Sequence, residues 1–233
     1  MIIGGSSGMG LALAEHLVTE GADVTIAGRS ETRLAQAAAS FGGGPGSLRT
    51  APVDIADEQQ VRDLLLPAGQ LDHVVVTAAD GVGAYSPIAE FPVERARAVL
   101  DTKVLGPMLV AKHARVTGSI VFTSGIAAYR PGPGASAIAA ANAALEGLAR
   151  SLAVELAPVR VNVVSPGWID TPIWTTLAGA AKQERLAAMA ARLPAGRVGT
   201  PSDVAAAFAA LLGNGFITGT VLHVDGGHRL ISG

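Results

Sequence analysis

Residues 1–10 read MIIGGSSGMG, and the rest of the chain is arranged around them. Ile2 and Ile3 make the end of a strand. Gly4, Gly5, Ser6, Ser7, Gly8, Met9 and Gly10 follow, and Leu11 to Thr19 then reads as a helix closed by Gly21. A strand, a glycine-rich turn and a helix together form a phosphate cradle. Glycine tolerates positive φ and lets a pyrophosphate approach the backbone. The free N–H groups of the first helical turn, aided by the helix dipole, then hold the anion. The spacing is G-x-x-x-G-x-G, from Gly4 through Gly8 to Gly10, and differs from the G-x-G-x-x-G of other dinucleotide folds. Taken alone, the turn also fits other α/β domains.

Downstream, strand and helix patterns alternate to the end of the chain. Short strands are expected at Ala22–Ala27, Ser47–Val53, Leu71–Thr77, Ser119–Thr123, Arg160–Val164 and Val221–Val224. Ser30 and Asp57 have the side chains to cap the helices after them, the second with Gln60 at the capping-box position. A long helical stretch runs from Pro92 to about Ala114, where Pro107 should disturb it. An alanine-rich helix covers Ala135–Ala157, residues 171–199 read as irregular or weakly helical, and Thr200 with Pro201 opens a helix that Gly213 closes. Alternation of this kind means an α/β fold: a Rossmann-type doubly wound parallel sheet with helices on both faces, in one domain spanning residues 1–233. Ligands in such sheets bind beyond the carboxyl ends of the strands, at the switch in strand order. The glycine turn, Asp54, Ala78–Ala79 and Pro166–Gly167 all fall on that edge.

Composition narrows the function classes. The 233 residues are 49% hydrophobic and 15% charged, with a formal net charge of −2. So few charges suggest covered surface and self-association. No basic stripe with interleaved aromatics points to nucleic acid. With no cysteine there are no disulfides and no thiol chemistry. The apolar runs are interrupted too early to span a bilayer, and the first residues do not resemble a signal peptide, so a cytoplasmic protein without a membrane partner is the expectation. The first strand has almost nothing before its glycines, which suggests that a few upstream residues are missing. The five histidines show no ligand spacing, and no metal site is expected.

These features together resemble the short-chain dehydrogenase/reductase family over essentially the whole chain. The resemblance rests on IIGGSSGMG at the start, IAGRS after the second strand, VDI at Val53–Ile55, VNVVSPGWIDT at Val161–Thr171, and GRVGTPSDVA with ITGTVLHVDGG at the end. It implies a sheet of about seven strands and a nicotinamide dinucleotide. Gly4, Gly8 and Gly10 stand at the family's three glycines, and Ser6 and Ser7 can add hydroxyls. In NAD-preferring members an acidic residue ends the second strand. Here Gly28 stands there, followed by Arg29 and Ser30. An arginine pairs with a 2′-phosphate bidentately, so NADP(H) is the expected cofactor, although Arg29 also reads as an ordinary solvated charge. Asp54, beside Ile55, resembles the acceptor for the adenine amino group, and Ile169 and Thr171 sit where the family reaches the nicotinamide amide.

The family's usual catalytic group does not carry over. The register of AIAAANAALEGLARSLAVEL places Ile138 at the position of the family's tyrosine and Asn142 at that of its lysine. IVFTSGIAA puts Gly125 at the serine position with Ser124 one residue before it, and DTKVLG puts Lys103 at the asparagine position. The fourth strand ends in Thr77-Ala78-Ala79-Asp80 where an Asn-Asn-Ala-Gly stretch is usual. Lys103 and Ser124 are therefore the candidate catalytic residues. Two readings of Lys103 stand: its ammonium points inward at Asn142, the cofactor ribose or a substrate oxygen, or it snorkels to solvent. Ser124 and Ser136 either bind a carbonyl or cap backbone, and Tyr129 either points inward or sits on the rim. Trp168 and Trp174 bracket the loop that usually covers substrate. Two functions stay open: an NADP(H)-dependent oxidoreductase with a rearranged proton donor acting on a small carbonyl or alcohol, or an NADP(H)-binding sensor or structural subunit without turnover. The family's helix pair and last strand imply a homotetramer, or failing that a dimer.

Overall fold

A computed structural model of the chain describes residues 1–79 and 83–231, so Asp80 lies outside the described residues. Seven strands run in chain order: β1 (Ile2–Ile3), β2 (Asp23–Gly28), β3 (Ser47–Pro52), β4 (Gln70–Val76), β5 (Arg115–Thr123), β6 (Arg160–Pro166) and β7 (Val221–Val224). They form one parallel sheet in the order β3-β2-β1-β4-β5-β6-β7. The order reverses at β1, with Ile2 level with Ile26 on one side and Val75 on the other.

Side chains alternate across the sheet, and each face buries its own core. On one face Ile2, Val75, Val121 and Val164 pack under α1 (Gly8–Thr19) and α9 (Pro201–Gly213), through Leu13, Val18 and Phe208. On the other, Ile3, Val76, Phe122 and Val163 meet α5 (Gly106–His113) and α6 (Ser136–Glu155), through Val110, Leu145 and Ala149. Burial on both faces explains why the central strands are nearly continuous in apolar residues.

The caps follow the sequence. The Ser30 hydroxyl accepts the Arg33 amide and starts α2 (Glu31–Ser40). Asp57 accepts the amides of Gln59 and Gln60 at the head of α3 (Glu58–Ala68). The Gln60 side chain reaches past that cap, accepting from the Asp54 amide at 2.9 Å, and so ties down the loop after β3. Thr200 and Asp203 form a reciprocal capping box at α9.

Of two further regions, the first follows expectation and the second departs from it. The stretch from Pro92 is α4 (Val93–Leu100), a wide π-helical turn over Asp101–Leu105, and then α5. Pro107 has no N–H to bond back into that turn, and the helical path is disturbed just ahead of it, as expected. Residues 171–199 contain two regular helices, α7 (Ile173–Ala178) and α8 (Lys182–Ala190), separated at Gly179, whose φ of 52° ends the first.

Candidate cofactor cleft and active site

The glycine turn is shaped by backbone demands. Gly4 has φ 97°, which L side chains rarely adopt. A Cβ on Gly10 would lie 2.6 Å from the Gly4 carbonyl oxygen and 2.6 Å from Thr77 Oγ1, so only glycine lets α1 sit this close to β1 and β4. Thr77 Oγ1 in turn donates to the Gly4 carbonyl at 3.0 Å. Ser7 is the N-cap of α1 but makes no side-chain bond to the helix, and the first turn carries no acidic residue. Its N–H groups and the positive end of the dipole are left to an anion.

A cleft enclosing about 460 Å³ opens over this turn. Of the residues singled out in the sequence, Gly4, Ser6, Ser7, Gly8, Met9, Gly10, Arg29, Ser30, Ile55, Ala78, Ala79 and Thr171 line it. The structure adds Arg33, Thr102, Pro172 and Ile173, which sequence reading missed. Arg33 is the chemically informative one. It lies four residues beyond Arg29, on the first turn of α2, and both residues line the cleft after β2. None of the described lining residues is acidic.

Asp54, Asn142, Pro166, Gly167 and Ile169 are not among the lining residues. Asp54 Oδ1 accepts the Ala56 amide at 3.0 Å, an Asx turn that holds Ile55 in place. Ile169 is buried, bridges to Gly199, and accepts the indole N–H of Trp174 at 2.9 Å. Trp174 stacks on Trp168 with ring centroids 4.4 Å apart, so the two indoles pack on each other beside Thr171. Gly167 lies against the Asp225 backbone, where a Cβ would come within 2.7 Å.

The family's catalytic positions converge between the end of β5 and one face of α6. Ile138, Asn142 and Glu146 stand four residues apart and are all buried. The Asn142 amide lies beside Gly125, where a Cβ would come 3.1 Å from its nitrogen, and its Oδ1 is buried with no hydrogen-bond partner among the described residues. Lys103 is only 4% exposed, which removes the snorkelling alternative. Its ammonium points inward, but to neither Asn142 nor the cleft: it donates to the carbonyl oxygens of Thr123 at 2.7 Å and Ser124 at 3.4 Å. Burial lowers its pKa to about 8.

Ser124 is also engaged. Its hydroxyl donates to Glu146 Oε1 at 2.8 Å rather than facing the cleft or capping backbone. Ser136 caps nothing either: it is the first residue of α6, behind Ala135. The other Glu146 oxygen accepts the Tyr129 phenol, so Tyr129 points inward although 42% of it remains exposed. Burial and the bond to Glu146 push that phenol up to about 12. The Tyr129 ring meets His223 edge-on, with centroids 4.7 Å apart. The network Ser124–Glu146–Tyr129 was missed in the sequence; its one signal was a lone glutamate on the inward stripe of α6.

A family profile described as Enoyl-(Acyl carrier protein) reductase matches residues 4–229. The short-chain dehydrogenase/reductase malC of Malbranchea aurantiaca is 36% identical over 99% of this chain and 94% of its own length. Its solved structure, a reductase/Diels-Alderase, superposes with a TM-score of 0.92 at 35% identity, covering 99% of this chain and 96% of that one. The 3-oxoacyl-[acyl-carrier-protein] reductase FabG of Chlamydia muridarum is 34% identical over 97% of this chain and 95% of its own. A small-chain dehydrogenase solved in complex with NADPH is 33% identical, with a TM-score of 0.78 over 99% of this chain and 97% of that one.

Proposed function

The chain belongs to the short-chain dehydrogenase/reductase family, whose members are oxidoreductases using nicotinamide cofactors, and on that premise we propose that it binds NADP(H) and transfers a hydride to or from a small carbonyl or alcohol substrate. The observation that carries the cofactor choice is that Arg29 and Arg33, which follow β2, both line the cleft, with no carboxylate among its described lining residues. A carboxylate there would repel a 2′-phosphate, whereas guanidinium groups bind it through charge-assisted hydrogen bonds. A relative solved with NADPH supports the same choice.

The residues fit the dinucleotide at two places. The uncapped first turn of α1 takes the pyrophosphate. Arg29 and Arg33 take the 2′-phosphate. When bound, the cofactor supplies or accepts the hydride. The protein orients it through the first turn of α1 and the arginines that line the cleft. Lys103 and Ser124 hold the end of β5 through their bonds to Thr123 and Glu146, and water provides the proton for the substrate oxygen.

Binding without turnover is the second reading, favoured by the same replacements at Ile138, Asn142 and Gly125. Thermal shift with NADPH, followed by NADPH oxidation against carbonyl and enoyl substrates, separates the two. Binding with substrate-dependent oxidation supports the enzyme; binding with none supports the sensor.

We also infer self-association. Val93, Leu100, Leu105 and Met108 are exposed along α4 to α5, and Val154 is 80% exposed on α6, apolar area that a second copy would cover.

A further inference from the structure

The sheet order fixes which end of a bound dinucleotide lies where. Arg29 and Arg33 follow β2 and line the phosphate end, whereas Ala78, Thr171 and Ile173 line the cleft past β4 and β6. The reacting ring therefore lies on the β4–β5–β6 side of the switch point. Lys103 is buried under that side. The π turn at Asp101–Leu105 adds a residue to the helical path and brings Lys103 against the end of β5, while its neighbour Thr102 reaches the cleft wall.

A full charge at this position is not required by the fold. The carbonyls of Thr123 and Ser124 would accept equally from a neutral amide or hydroxyl, without the cost of desolvating an ammonium. Among the described residues these carbonyls are its only hydrogen-bond partners, and no carboxylate offsets the effect of burial on it. Glu146 accepts from the hydroxyls of Ser124 and Tyr129, and among the described residues it makes no ion pair with Lys103.

We propose that Lys103 makes the site select between the two redox states of its cofactor, favouring the reduced form. The inference rests on the reading of the cleft as an NADP(H) site. The oxidised and reduced dinucleotides share phosphates, riboses and adenine, and differ at the nicotinamide ring, which is cationic when oxidised and neutral when reduced. A fixed buried cation on that side of the sheet repels the first and leaves the second untouched. At an effective dielectric of about 20, repulsion between two unit charges about 10 Å apart corresponds to roughly tenfold in binding. By linkage, the midpoint potential of the bound couple rises relative to the free one.

The test is calorimetric titration of NADPH and NADP⁺ into the wild type, Lys103→Met and Lys103→Gln, with Arg29→Ala as a control. The wild type is expected to bind NADPH about tenfold more tightly than NADP⁺. Both Lys103 variants should bring the ratio to within about twofold of unity, mainly by improving NADP⁺ binding. Arg29→Ala should weaken both ligands by a similar factor and keep the ratio. Lys103→Gln retains a donor for the strand carbonyls, so it reports even where Lys103→Met folds poorly. A ratio unchanged in the Gln variant, or a wild type that prefers NADP⁺, overturns the inference while leaving the cleft reading intact. A wild type that binds neither ligand overturns both.

Discussion

The Lys103 ammonium and the Thr123 carbonyl oxygen stand 2.7 Å apart at the end of β5, a buried contact between residues twenty apart in the chain. It joins the π turn to the strand whose end the family uses for catalysis. Its stability consequence follows from the sign of the pKa shift. Burial lowers the Lys103 pKa from 10.5 to about 8, so the unfolded chain binds more protons than the folded one between those values. The wild type should therefore gain stability relative to Lys103→Met as pH rises from about 8 to 10.5, by at most about 3 kcal/mol. Urea unfolding of both proteins at pH 7 and pH 10 measures this difference. A gap that stays constant would show that the ammonium is not desolvated as described.

Arg29 and Arg33 make a prediction about cofactor choice. Each charge-assisted contact is worth roughly 1.5–3 kcal/mol, so Arg29→Ala and Arg33→Ala should each weaken NADPH binding about tenfold or more. NADH, which has no 2′-phosphate, should change less than about twofold. Equal losses for both cofactors would place the guanidinium groups elsewhere than at the 2′-phosphate.

Gly10 offers a packing test. An alanine there would put a methyl 2.6 Å from the Gly4 carbonyl oxygen and from Thr77 Oγ1. Overpacking of this kind costs about 1–3 kcal/mol. Thermal melts of Gly10→Ala should show a lower midpoint together with weakened NADPH binding, and a variant with wild-type behaviour would contradict the close approach of α1 to the strand ends.

Tyr129 and Glu146 give a prediction away from the cleft. Tyr129→Phe leaves one buried Glu146 oxygen without its donor, a loss of about 1–3 kcal/mol in unfolding free energy. In the wild type the Tyr129 phenol should ionise only near pH 12, followed by ultraviolet absorbance. A phenol titrating near its ordinary value would mean that the hydroxyl is not held by Glu146.

The exposed apolar side chains on α4, α5 and α6 predict self-association, and the family resemblance makes a homotetramer the expected form, with a dimer next. Light scattering at micromolar concentration measures it, and a monomer would leave Val154 and Met108 unexplained.

The sequence disclosed the parts of this molecule that are set by backbone constraint. Gly4 and Gly10 could be read because no other residue meets their φ or packing demands, and Asp57, Ser30 and Thr200 because caps are local. What it concealed depends on convergence. Arg33 looks like any solvated residue on a first helical turn until the fold turns α2 toward the cleft. The register put Lys103 at a catalytic position, but the π turn that aims it at Thr123 leaves no periodic signature. Ser124, Tyr129 and Glu146 come from a strand end, a loop and a helix, and only the packing of α6 on β5 brings them together. The helices α7 and α8, expected as irregular or weakly helical, are short, and Gly179 interrupts the pattern between them.

The central claim, a site built for the 2′-phosphorylated dinucleotide, is tested most directly by titrating NADPH and NADH separately into the wild-type protein and comparing dissociation constants. NADPH should bind at least about tenfold more tightly, from the charge-assisted bonds to Arg29 and Arg33. Equal affinities, or tighter binding of NADH, would contradict it.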